Sequence, residues 1–426
     1  MKALTSRLIL MNFLEFAVWG AYLTSMGAFL ASAGFGQSIW LFYAMQGIVS
    51  IFMPALIGIV ADRWIPAQRL LGLCHLFAGI FMVAAGLYGS VENPQFGLVF
   101  GAYSLSVAFF MPTIALTNSV AFIALTRAGR DTVKAFPPIR VFGTVGFICT
   151  MWAVDLLGFQ NNANQFVVSG ALSVLLALYA QSLPSCPISK GEKSTSLVKA
   201  LGLDAFALFR QKRMAIFFIF SMLLGVSLQI TNGYANTYIQ SFNGVAEYAS
   251  TFGVQHANIL ISLSQISETC CILLIPFCLK RFGIKKVMMI SMLAWVLRFG
   301  LFGTGNPGPG VWMFVLSCIV YGVAFDFFNI SGALFVDQNT DEGIRSSAQG
   351  LFMLMTNGLG ATLGTVVAGR VFNHFALDLP STPIEPVIEG WRTSWFIFAG
   401  YALVVLILFA ILFKEKKTLS QPSALK

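Results

Sequence analysis

Twelve stretches of roughly twenty apolar residues, each cut off by polar or basic residues, set the terms on which this 426-residue chain can fold. They lie at residues 8–30, 38–61, 70–88, 96–121, 136–158, 165–183, 214–238, 257–279, 286–303, 311–335, 346–372 and 393–413. About 20 residues of α-helix, rising about 1.5 Å each, cross the roughly 30 Å hydrocarbon core of a bilayer. An open sheet in lipid would strand its backbone amides and carbonyls, so runs of this length specify helices. Only 10% of the residues are charged, against roughly 25% in soluble domains. The expected fold is an all-α polytopic membrane protein with 12 transmembrane helices.

The net charge of +9 would point to nucleic acid in a soluble protein, but here it reads as topology and no nucleic-acid partner is expected. Of the 26 Lys and Arg residues, all but Arg298, Arg370 and Arg392 fall in connections that share the cytoplasmic side if the N-terminus is cytoplasmic, with Arg140 borderline because its apolar run begins at Phe136. That bias places both termini inside, in keeping with an even number of spans. Lys2 and Arg7 ahead of an apolar run imitate a signal peptide, yet the run at 8–30 exceeds the roughly 7–15 residues of a signal core and carries Asn12 and Glu15. It reads as the first span.

The longest connection, 184–213, is rich in Lys, Ser and Gly and parts six spans from six. The expected organisation is a six-helix bundle over 1–183, a cytoplasmic linker over 184–213 with an amphipathic helix at LVKALGLDAFALF (197–209), a second bundle over 214–413 and a cytoplasmic tail over 414–426. Asp62-Arg63 after the second span and Lys280-Arg281 after the eighth are a faint echo of paired repeats.

Polar residues inside the spans carry the functional signal. An aspartate at mid-bilayer costs roughly 2.5–3.5 kcal/mol on insertion scales, so it is tolerated chiefly where it faces protein or a water-filled path. Asp326 sits near the middle of an otherwise uncharged run, 311–336. Four further sets accompany it. Arg140, Thr144 and Phe147 share one helical stripe, Gln229 and Asn232 are three residues apart, and so are Gln265 and Glu268, while Tyr321 and Phe325 stand one turn apart beside Asp326. Aromatic faces, amides and two acids suit a small, flat, polyhydroxylated ligand. The competing reading of each pair is interhelical glue, at about 0.6 kcal/mol apiece.

A carboxyl group in a low dielectric resists ionisation and can trade a proton as its exposure alternates. Glu268 and Asp326 are therefore candidates for ligand binding and proton carriage, in either order, with Glu15 a third acid and Arg140 or Arg298 a possible counter-ion. Asp155 is expected at the membrane interface. His75, His256 and His374 are too scattered for a ligand cluster, and His75 reads as a packed or solvated imidazole rather than a relay. The seven cysteines lack C-x-x-C spacing, and Asp337 with Asp341 is too little to hold a magnesium diphosphate. No metal or cofactor is expected, and an enzyme is disfavoured.

Six segments carry a family resemblance: FPPIRVFGTVGF (136–147), LGLDAFALF (201–209), RMAIFFIFSMLLG (213–225), LQITN (228–232), SQISE (264–268) and YGVAFDFFNISG (321–332). They resemble the nucleoside/proton symporter family of Gram-negative bacteria, which includes broad nucleoside and xanthosine permeases. Gly58, Asp62 and Arg63 resemble the loop motif of the major facilitator superfamily, with Pro66 and Ala67 where basic residues are usual. The resemblance implies the major facilitator fold of two six-helix bundles, placement as a monomer in the bacterial inner membrane, and nucleoside import driven by the proton gradient. It implies a pocket of Arg140, Thr144, Phe147, Gln229, Asn232, Gln265, Glu268, Tyr321 and Phe325, with Asp326 coupling the proton. Glu15 stands where close relatives of that family are expected to carry an amide.

Overall fold

The computed structural model describes residues 2–186, 203–340 and 345–414. Residues 197–202 of the amphipathic segment, Asp341 and nearly all of the tail fall outside them, as do the side chains of Asp62 and Arg63. The described residues form helices throughout: α1 (Lys2–Gly20), α2 (Met26–Ser32), α3 (Ile39–Arg63), α4 (Ala67–Gly89), α5 (Phe96–Arg127), α6 (Thr132–Leu156), α7 (Asn164–Ala180), α8 (Lys212–Leu228), α9 (Ile230–Ser241), α10 (Ala257–Thr304), α11 (Val311–Gln338), α12 (Arg345–Met353), α13 (Ala361–Phe372) and α14 (Glu385–Leu412). Among the described residues nine helical stretches are long and apolar enough to cross a membrane. The chain is an all-α polytopic membrane protein.

Several elements depart from uninterrupted spans. The first apolar run is broken over residues 21–25 into α1 and α2. The seventh breaks at Gln229, which caps both α8 and α9 (φ −94, ψ −8). Residues 354–360 form a π-helical turn between α12 and α13. Helix α7 has 17 residues, short of the 165–183 expected. The described part of the amphipathic segment, Leu203–Arg210, is a 3₁₀-helix rather than an α-helix. The longest element, α10, has 48 residues and turns at Gly283, whose φ of 78° is a left-handed conformation natural to glycine. Lys280, Arg281, Lys285 and Lys286 surround that turn.

Helices α1 and α6 cross so closely that a Cβ at Gly146 would lie 2.1 Å from the Phe13 carbonyl oxygen. Small residues at such crossings let backbones approach where no hydrophobic effect drives helices together. Gly146→Leu would force the helices apart and is expected to cost more than about 3 kcal/mol, the upper range of overpacking. A sharp fall in the melting temperature of detergent-purified protein is the check.

Candidate functional site

On α6, Arg140, Thr144 and Phe147 lie along one stripe facing α1. The Arg140 guanidinium carbon sits 3.8 Å from the centre of the Phe16 ring, a cation–π contact. Phe16 adjoins Trp19 with centroids 6.5 Å apart, and Trp19 meets Phe147 edge-on at 6.3 Å. Trp19 donates its indole N–H to Gln46 Oε1 at 3.3 Å, and Gln46 in turn donates to the Tyr103 hydroxyl at 2.8 Å. The wall is aromatic, carries one cation and is held from behind by α3 and α5.

The second half of the chain supplies the acids. Glu268 on α10 lies within electrostatic reach of Arg140 and of Tyr321 and Asp326 on α11. The Tyr321 and Phe325 rings stack 5.7 Å apart at 17°. Arg298 lies over Tyr321 at 4.3 Å and donates to the Ser317 carbonyl at 2.9 Å and to the Ser264 and Thr231 hydroxyls at 3.3 and 3.2 Å. Instead of the expected counter-ion to an acid, Arg298 is a buried brace that fixes one face of Tyr321 and ties α10 and α11 to the start of α9. There Asn232 donates to Gln229 Oε1 at 3.0 Å, and the Tyr43 hydroxyl reaches across from α3 to the Asn232 carbonyl at 3.1 Å. The break at Gln229 thus sets an amide pair beside Thr231, which contacts Arg298. Thr144 and Gln265 stand on the same faces as Arg140 and Glu268.

Asp326 is 5% exposed, and its Oδ2 is buried without a hydrogen-bond partner. A bare carboxylate oxygen in such a place costs several kcal/mol, whereas a protonated carboxyl does not carry that cost. Glu15 is handled in the opposite way. Fully buried on α1, it accepts from the Thr113 and Thr117 hydroxyls at 2.7 and 2.9 Å and meets His75 Nε2 at 2.8 Å. His75 is packed, as expected, but against a carboxylate that spacing alone did not reveal.

Toward the ends of α2, α6 and α9 and the start of α10, the two halves of the chain are stitched together. Asp155 Oδ1 meets His256 Nδ1 at 2.5 Å, and Oδ2 accepts from the Ile259 amide at 3.2 Å. Gln160 donates to the Gln255 carbonyl at 3.1 Å and accepts from Asn236 at 3.1 Å. Trp152 donates to Ser262 at 2.8 Å, and Thr24 to Asn258 at 3.0 Å. Asp155, at the end of α6, is 3% exposed and belongs to this seam. An open depression of about 530 Å³ lies beside the seam, lined among others by Gln160, Gln240, Asn243 and Trp391.

Sequence reasoning overlooked Trp19, Gln46 and the seam. Trp19 follows Glu15 by one helical turn, and Gln46 is the lone amide of its apolar run, so both were findable as polar marks on apolar helices. The seam was not, because its partners are 76 to 234 residues apart. Among the described residues no group of three or more His, Cys, Asp or Glu side chains could hold a metal.

Buried acids, a cation and aromatic faces gathered between two halves of a helical membrane protein, next to a seam of breakable hydrogen bonds, are the equipment of a solute carrier rather than an enzyme. A family model described as nucleoside H+ symporter matches residues 1–418, and the chain belongs to that family. It is 47% identical over 413 residues to the nucleoside permease NupG of Escherichia coli (strain K12), covering 96% of each chain. It is 46% identical over 416 residues to the xanthosine permease of the same organism, covering 97% of this chain and 96% of that one. A crystal structure of the nucleoside transporter NupG superposes with a TM-score of 0.88 at 46% identity, covering 97% of this chain and 100% of that chain.

Proposed function

We propose that this protein imports a nucleoside together with a proton, by alternating access between two six-helix bundles of the major facilitator type. The organisation is 1–183 and 214–413 for the bundles, 184–213 for a cytoplasmic linker and 414–426 for the tail. Twelve crossings follow if the turn at Gly283 divides α10 in two, α7 crosses despite its length, and α1 with α2 forms one broken span. The basic residues around Gly283 and in the other connections favour cytoplasmic termini in a bacterial inner membrane.

In this reading Arg140, Thr144, Phe147, Gln229, Asn232, Gln265, Glu268, Tyr321 and Phe325 bind the nucleoside. The stacked Tyr321 and Phe325 rings and the Phe147 wall take the base, the amides bond its edges, and Glu268 accepts from ribose hydroxyls. Asp326 carries the proton. The observation that carries this assignment is its unpartnered buried oxygen, within electrostatic reach of the Glu268 carboxyl. One positive charge falling through about 150 mV releases roughly 3.5 kcal/mol, about 2.5 decades of accumulation, so a single proton suffices.

Uptake of labelled uridine against labelled sugar into energised vesicles tests the reading. Uridine alone should accumulate, with loss of accumulation under an uncoupler. Preferential accumulation of sugar would reject it.

The seam is the outer gate, shut in this conformation. Removing Asp155 leaves His256 and the Ile259 amide without their shared acceptor, so Asp155→Ala is expected to raise the outward-open population severalfold. Spin labels at Asn161 and Asn243, in protein whose native cysteines are replaced, would report it as a longer distance. An unchanged distribution would mean the pair does not hold the gate.

A further inference from the structure

We propose that Glu15 and His75 form a second proton site, which acts on the nucleoside pocket through Arg140. The proposal rests on the reading of Arg140 as a pocket residue but not on the role given to Asp326.

Hydrogen bonding counts the protons of the pair once the Thr113 hydroxyl, which reaches both Glu15 Oε1 and the Phe110 carbonyl, is taken to donate to Glu15. The Ser173 hydroxyl lies 2.9 Å from the His75 carbonyl oxygen, which can only accept, and in the loaded arrangement Ser173 spends its one proton there. The same hydroxyl lies 2.9 Å from His75 Nδ1, which must therefore be the donor. With Nδ1 carrying a proton, the 2.8 Å contact between Nε2 and Glu15 Oε2 needs a second proton between them. The pair is thus imidazolium with carboxylate, or neutral imidazole with carboxylic acid, and in both cases its net charge is zero.

Unloading needs little movement. If the Ser173 hydroxyl turns to donate to Nδ1, the imidazole keeps its proton on Nε2 facing Glu15 and the pair carries one negative charge. Thr113 and Thr117 continue to serve the carboxylate. Both partners are wholly buried, so the charge that appears on unloading is weakly screened and acts on its neighbours.

The charged and titratable neighbours are few. Helices α5 and α7 present hydroxyls, α4 presents the Cys74 thiol beside His75, and α6 presents the Arg140 guanidinium, which lies within reach of Glu15 and stacks on the adjoining residue Phe16. Arg140 stands between two carboxyls, Glu15 on its own half of the chain and Glu268 on the other. A loaded pair leaves the cation to Glu268 and the ligand, whereas an unloaded pair draws it toward α1. Proton loading therefore favours nucleoside binding, and by linkage nucleoside binding favours proton loading.

The test uses nucleoside binding to purified full-length protein in an Asp326→Asn background, where that carboxyl cannot titrate. Affinity for uridine is expected to weaken about tenfold from about pH 5.5 to about pH 8.5, a coupling within the usual range. Adding Glu15→Gln should flatten the profile at the tight, low-pH value. His75→Gln, which keeps the carboxylate and removes the imidazole, should displace the profile along the pH axis, and it serves as a second reading if Glu15→Gln is poorly folded. A profile unchanged by both substitutions, or one already flat with Glu15 and His75 intact, would overturn the proposal. Accumulation surviving Asp326→Asn would count against the role of Asp326 and leave this profile as the judge of the pair.

Discussion

Asp326→Asn is expected to reduce concentrative uptake of nucleoside to the equilibrium level, a loss of about two decades or more if one charge at about 150 mV drives accumulation. The substitution keeps the shape of the side chain and removes its proton chemistry. The unpartnered Oδ2 becomes an amide or carbonyl group in the same buried place, so folding should be retained. Binding and exchange of labelled for unlabelled nucleoside should persist, because the stacked Tyr321 and Phe325 rings are untouched. Measuring accumulation and exchange side by side separates a coupling defect from a binding defect. Accumulation at the parental level would move the coupling role to Glu268 or Glu15.

Arg140→Ala should weaken nucleoside binding by roughly 100-fold, within the 2–5 kcal/mol expected when one partner of a buried charge pair is removed. The loss has two sources. The stack on Phe16 disappears, and Glu268 is left among other acids without its nearby cation. Arg140→Lys restores the charge but not the planar face, so it should recover about half of the lost free energy on the basis that cation–π contact contributes about 1–2 kcal/mol when desolvated. Calorimetric titration with uridine reads both variants. Equal affinity in all three proteins would remove Arg140 from the pocket.

Much of this architecture is written along the chain, because lipid allows so few solutions to a run of twenty apolar residues. The stripes holding Arg140, Glu268 and Tyr321 are also legible, since a polar residue in such a run needs a reason and helical spacing says which residues share a face. What spacing cannot show is which face meets which. Glu15 finds His75, Thr113 and Thr117 on α4 and α5, sixty to a hundred residues away, and only the packed bundle brings them together. Arg298 looked like a counter-ion because a lone buried cation invites an acid, but hydroxyls, a carbonyl and the Tyr321 ring are its partners instead, with Nε left without a hydrogen bond. The breaks at 21–25 and at Gln229 are equally hidden, for they occur inside apolar runs whose hydropathy does not mark them.

Reconstituted protein in lightly buffered liposomes, with a pH dye outside and no imposed gradient, gives the most direct view of coupled transport. Adding uridine outside should make the external medium alkaline as protons enter with the nucleoside, and Asp326→Asn should abolish that signal. Uridine entry with no movement of protons would contradict symport.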